Sequence, residues 1–357
     1  MRGSKVRQSN FELLRIIAMY MIVLYHSCFH GNFDIQEANN IKCIIVDLLQ
    51  FGGRLGVMLF VMIGSYFLVD KEFKSSRIIK ILVDVSIYFY SISIPLSILK
   101  PNILNRFPLD YFLLPIPGKY WFVDQYLLLL LLSPSLNYII KQLTEEFYRY
   151  LLFGLGVLLY VGPSFEIYEI SNQNISYFIY FYFLAGYIRQ YPLEWMNHED
   201  IGKKISVISL LSIFVSIFLG HIIGSYNENY LEYTLFWTNT NSLLVLGSGL
   251  GLFIWIKNKS MPTSLLINKL ASVTFGVYLI HEHPVIRSLL WSKININSMS
   301  NSSTVYFLCY VIGSSIIVFI MCIVIAYIIE GLFNRINNKV IRSISESVDC
   351  FVSKAMK

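Results

Sequence analysis

The chain has 357 residues, of which 55% are hydrophobic, 16% aromatic and only 14% charged, and its mean hydropathy is +0.59. Soluble domains carry roughly 25% charged residues, so the composition excludes a water-soluble enzyme and points to an all-α, polytopic membrane helix bundle with short loops. The net charge of +6 would suit nucleic acid, but its distribution along the chain follows membrane topology, and no nucleic-acid partner is expected.

Arg2, Lys5 and Arg7 precede the first apolar run in the manner of a signal peptide. Arg15 interrupts that run and no small-residue cleavage site follows, so the segment is expected to stay as a first transmembrane helix. A spanning helix needs about 20 largely apolar residues. Ten segments qualify, over roughly 10–30, 50–69, 80–99, 121–140, 147–163, 175–190, 205–225, 235–256, 271–291 and 303–329. There is no fixed-period repeat and no linker long enough to divide the chain. The expected organisation is a transmembrane domain over 1–333 and a basic tail over 334–357 suited to anionic lipid.

With the N-terminus in the cytoplasm, the segments on that side hold 20 of the 28 Lys and Arg residues, the outer segments hold 7, and Arg15 lies within the first span. This asymmetry supports ten spans with both termini cytoplasmic. The outer segments carry acids instead, among them Asp34, Glu37, Asp110, Glu166, Glu169, Glu228 and Glu232. Trp121, Trp237 and Trp291 fall near predicted outer ends, where indoles anchor at the interface. Cys28, Cys43, Cys309, Cys322 and Cys350 form no C-x-x-C pair and read as small apolar residues.

The first span carries the chemistry. Arg15 and His26 are 11 positions apart, which at 100° per residue is about 20° past three turns. Both side chains therefore share one helix face, roughly 16 Å apart along the axis. His30 extends that face by a turn, and Glu12 lies three before Arg15. An arginine inside a spanning helix costs about 2.5 to 3.5 kcal/mol, so such residues face a bundle interior or a water-filled cavity. Snorkelling of Arg15 to the headgroups is the structural alternative. His26 and His30 have metal-ligand spacing, but Ser27-Cys28-Phe29 between them supplies no catalytic glutamate, and no metal is expected.

Five segments in order resemble the acyltransferase-3 family of bacterial membrane proteins. Glu12, Arg15 and His26 have its first-span signature. "GVMLFVMIGSYFL" (56–68) resembles its second span, with Gly64-Ser65-Tyr66 where the family has Ser-Gly-Tyr. "RIIK" (77–80) resembles its Arg-x-x-Arg loop, and Lys80 keeps the charge while losing the bidentate fork. "KYWFVDQYLLLLLLSPSL" (119–136) and "FGVYLIHEHPVI" (275–286) resemble its fourth and late spans.

The resemblance implies transfer of an acyl group, commonly acetyl from acetyl-CoA, to a hydroxyl of an extracytoplasmic or membrane-linked glycan. The chain looks most like stand-alone members that decorate surface polysaccharides such as capsule, in the plasma membrane of a bacterium. The expected partners are acetyl-CoA, the surface polysaccharide or its lipid-linked oligosaccharide, and membrane lipids. Arg15, Arg77, Lys80 and Lys74 are placed for the donor's phosphates. His26 is the expected general base, or alternatively an acyl-carrying nucleophile, with Arg15 beneath it. His281 is the next catalytic candidate, to orient the acceptor or stabilise an oxyanion. Tyr120, Trp121, His30 and Glu282 are expected to meet the acceptor. A glycan flippase and a binding protein with a structural polar network are the competing classes. A flippase predicts matching broken helices in two halves, and Pro163 and Pro284 do not correspond.

Overall fold

A computed structural model of the chain describes residues 8–31, 33, 40–99, 102 and 118–355. Arg2, Lys5, Arg7, Asp34, Glu37 and Asp110, named above for topology, lie outside the described residues, as do Lys100, Arg106 and Lys357, which enter the Lys and Arg counts. Among the described residues every regular element is helical. The main helices are α1 (Ser9–Phe29), α2 (Ile41–Gln50), α3 (Gly52–Leu68), α4 (Ser75–Leu99), α5 (Trp121–Gln142), α6 (Glu145–Gly156) and α7 (Ile175–Gln190). They are followed by α8 (Glu199–Tyr226), α9 (Leu243–Asn258), α10 (Leu265–Ser272), α11 (Thr274–His281), α12 (Pro284–Ile294) and α13 (Thr304–Ala355).

Among the described residues, seven stretches are long and apolar enough to cross a membrane: Ser9–Phe29, Ile41–Leu68, Ser75–Leu99, Trp121–Gln142, Glu199–Tyr226, Glu228–Asn258 and Thr304–Phe333. The other three expected spans are helical but short or interrupted. Segment 147–163 combines α6, a π-helical stretch Val157–Val161 and the turn Gly162–Ser164. Segment 175–190 is α7, whose 16 residues reach about 24 Å. It packs against α3, α5 and α6, and 11 of its residues are buried among them.

Segment 271–291 breaks twice, between α10 and α11 and again at Glu282-His283. The second break follows from Pro284, which has no N–H and excludes helical geometry at the residue before it. His283 is accordingly at ψ 127°, and its side chain caps α12 by accepting from the Val285 N–H. Trp291, expected at the interface, is 1% exposed and belongs to the core instead.

The bundle is organised around α1, which packs against α2, α3, α9, α10, α11 and α13. Leu14, Ala18 and Val23 on it are fully buried. Its approach to α3 needs glycine. A Cβ at Gly53 would stand 2.3 Å from the Tyr25 ring, and one at Gly56 would stand 2.6 Å from the Ala18 carbonyl oxygen. Small residues at such crossings let backbones meet where lipid offers no hydrophobic drive for association. α13 has 52 residues, about 78 Å of helix. The tail expected from residue 334 continues this helix to Ala355.

Candidate active site

His26 sits near the C-terminal end of α1, His281 ends α11, and Glu282 lies in the break before α12. The break matters because a continuous helix would hold residue 282 in register with its neighbours. Here it releases the Glu282 side chain among buried groups. His26 and His281 meet with Nδ1 of the former 3.0 Å from Nε2 of the latter. His281 Nδ1 lies 2.6 Å from the Val277 carbonyl oxygen. A carbonyl only accepts, so His281 Nδ1 carries the proton and its neutral ring accepts at Nε2 from His26 Nδ1–H. That leaves His26 Nε2 unprotonated, with a lone pair to spare.

Glu282 completes the cluster. Its Oε1 is 3.4 Å from His26 Nδ1 and 3.6 Å from His30 Nε2, and Arg287 Nη1 is 3.4 Å from its Oε2. These lengths exceed ordinary hydrogen bonds, so the carboxylate acts on both imidazoles mainly through its charge. His26, His30, Glu282, Arg287 and Trp121 line one cavity of about 770 Å³. Arg54 and Gln173 line it too, and both also line a neighbouring open cleft of about 1600 Å³.

Arg15 lines a different cavity, of about 940 Å³, together with Lys80, Asp84, Tyr88, Tyr126 and Glu330. Its Nη1 donates to Glu12 Oε2 at 2.8 Å, and Lys80 Nζ pairs with Asp84 Oδ2 at 2.7 Å. Arg77 lines neither cavity and donates to the Glu72 carbonyl. Lys74 is exposed and also lines neither. Tyr120 stands behind the His26 cavity, fully buried, with its hydroxyl donating to the Leu279 carbonyl at 3.1 Å. Ser65 is buried and donates to the Val61 carbonyl within its own helix.

Phe60 lines both cavities. The Arg15 guanidinium carbon lies 5.8 Å from the centre of its ring, and Phe122 meets it edge-on at 5.9 Å. Tyr126 stacks on Phe122 at 5.8 Å and 10°. Phe122 faces the His26 cavity and Tyr126 the Arg15 cavity, so these three rings form the wall between them.

The residues missed by sequence reasoning are Arg54, Phe60, Phe122, Gln173 and Arg287. Only the pair Gly52-Gly53 beside Arg54 signals a close approach in the sequence. Among the described residues, two groups could hold a metal ion. His26, His30 and Glu282 form one, inside the site. Cys43, Asp47 and His221 form the other, with their ligand atoms within 4.8 Å of one another. His221 Nε2 lies 2.9 Å from Asp47 Oδ2 there, so Cys43 neighbours polar groups rather than a purely apolar run.

His26, His281 and Glu282 form a buried imidazole–carboxylate cluster inside a multi-pass helix bundle. A family model described as an acyltransferase domain matches residues 8–326, and the chain belongs to this acyltransferase-3 family. It is a multi-pass membrane acyltransferase. No curated protein and no solved structure matches the chain.

Proposed function

We propose that the protein moves an acetyl group from cytoplasmic acetyl-CoA to a hydroxyl of a cell-surface, capsular polysaccharide or its lipid-linked repeat unit in a bacterial plasma membrane. The observation that carries this reading is the placement of Arg15 and His26 in two cavities that share Phe60 as a wall. The Arg15 cavity takes the donor, and its cations meet the donor's phosphates. The His26 cavity, continuous with the open cleft through Arg54 and Gln173, takes the acceptor.

In the reaction His26 Nε2 accepts the proton of the acceptor hydroxyl as its oxygen attacks the acyl carbonyl. The positive charge that develops on His26 is offset by Glu282, 3.4 Å away. His281, fixed by the Val277 carbonyl, holds the His26 ring in the tautomer that bares Nε2. Collapse of the tetrahedral intermediate breaks the carbon–sulfur bond. The proton on His26 then passes to the departing thiolate, which restores the base.

The test is His26→Gln, which keeps a polar side chain of similar reach. The variant is expected to reach the membrane, elute as wild type and lose polysaccharide acetylation by more than about a hundredfold. The acetyl methyl signal in proton NMR of surface polysaccharide reads the outcome. Undiminished acetylation would overturn the assignment of His26. Unmodified polymer retained inside cells lacking the protein would point to a flippase instead.

A further inference from the structure

We propose that Arg54 is an anion-recognition residue, and that the acceptor is an acidic glycan whose carboxylate or phosphodiester docks on this guanidinium. The identity of the ligand as acceptor rests on the acyl-transfer reading; the anion site itself does not.

Arg54 lies in the first turn of α3 and lines both the His26 cavity and the open cleft. It is half-buried, and its guanidinium carbon stands 5.5 Å from the centre of the Trp121 ring. Other arginines of the bundle have protein partners: Arg15 has Glu12, Arg189 has Asp70, and Arg287 has Glu282. Among the described residues, no carboxylate lies within 4.0 Å of Arg54 and no hydrogen bond from it is formed. A partly desolvated cation without a partner is costly. Its planar fork of five donors matches an oxyanion with two oxygens, and the Trp121 face holds the plane from one side.

The surroundings name the rest of the ligand. Among the described residues that line the cleft, Arg54 is the one cation. The other lining groups include the carboxylates of Glu166 and Glu169, which accept from hydroxyls and leave Arg54 as the one place for an acidic group, the amides of Asn172, Gln173, Asn239 and Asn241, and the rings of Tyr168 and Phe236. Asn172 is held rigidly, with Nδ2 donating to Asn239 Oδ1 at 3.2 Å and Oδ1 accepting from the Thr240 N–H at 2.9 Å. Fixed amides suit hydroxyls, which both donate and accept, and rings suit the apolar faces of sugars. A polyol chain with an acidic group at Arg54 satisfies both sets at once, and places a nearby hydroxyl in the cavity that holds His26.

The experiment measures binding of three probes to the purified full-length protein in nanodiscs by calorimetry. They are a glucuronate-containing tetrasaccharide, a glycerol phosphate oligomer and neutral maltotetraose. Wild type is expected to prefer one acidic probe over the neutral one by at least about tenfold, the worth of a charge-assisted hydrogen-bond pair. The probe preferred distinguishes carboxylate from phosphate. In Arg54→Gln the preference is expected to fall to parity, and in Arg54→Lys, a point charge without the fork, to fall severalfold. Equal or undetectable binding of all three probes by wild type would overturn the proposal. So would an undiminished preference in Arg54→Gln, or in Arg54→Lys should the glutamine variant not fold. Thiol release from acetyl-CoA, measured separately, reports on acyl transfer alone: an acidic preference without any donor cleavage keeps the anion site and removes the transferase reading.

Discussion

The pairing of His26 with His281 joins residues 255 positions apart, and the proton positions follow from one carbonyl. Because Val277 O can only accept, the protons of both rings are ordered, and in the proposed mechanism Glu282 sets how well positive charge is tolerated on His26. Glu282→Gln is nearly isosteric and removes only the charge. Acetyl transfer by this variant is expected to fall by roughly 10- to 100-fold, with little change in the thermal melting of the protein. Initial rates with a soluble acceptor check this, and an unchanged rate would mean that the carboxylate serves only the fold. The shared face of Arg15 and His26 is legible in the sequence because it depends on helical spacing alone. The partnership of His26 with His281 and Glu282 is not, since it arises from how α11 packs on α1. Arg54 escapes for the opposite reason. In the sequence it looks like one more loop cation, and only the absence of a nearby carboxylate distinguishes it.

Among the elements, α1 and α3 form the frame on which both cavities hang. Their contact is set by Gly56, where a side chain would meet the Ala18 carbonyl oxygen at 2.6 Å. Backbone cannot retreat as a flexible side chain can, so Gly56→Val must push the helices apart. The expected cost is about 1 to 3 kcal/mol, seen as a lower melting temperature in nanodiscs and a lower yield of monodisperse protein. A variant that melts as wild type would show that the crossing is looser than the contact implies. Apolar length made the long helices legible, because the bilayer imposes it. The interruption at Glu282-His283 was legible as a kink at Pro284, whereas the one at Val273 was not. Hydropathy averages across a break, whereas the break is what frees Glu282 to enter the site. α7 was legible as an apolar helix, but its burial against α3, α5 and α6 depends on tertiary packing.

At the scale of the whole molecule, two chambers are separated by Phe60, Phe122 and Tyr126. Under the proposed division of donor and acceptor between them, acyl transfer requires the Phe60 ring to move, since among the described residues it alone fronts both spaces. Phe60→Trp is expected to slow acetyl transfer by more than about tenfold, and Phe60→Ala to admit longer acyl donors such as butyryl-CoA, by analogy with core sites where the cavity left by truncation is filled by a ligand. Comparative kinetics with acetyl- and butyryl-CoA check both, and identical chain-length profiles would exclude Phe60 as the passage.

The same ring has a consequence for the energetics of the cell. A transferase open to both faces at once would be a conduit for ions, and would short-circuit the voltage that the membrane stores, worth about 2.3 kcal/mol per charge for each 100 mV. Under the proposed two-cavity route, a ring at Phe60 that yielded only as an acyl chain took its place would keep the seal intact throughout turnover. The cargo itself would then be the stopper, and the proposed acyl transfer would proceed without draining the power supply beneath it.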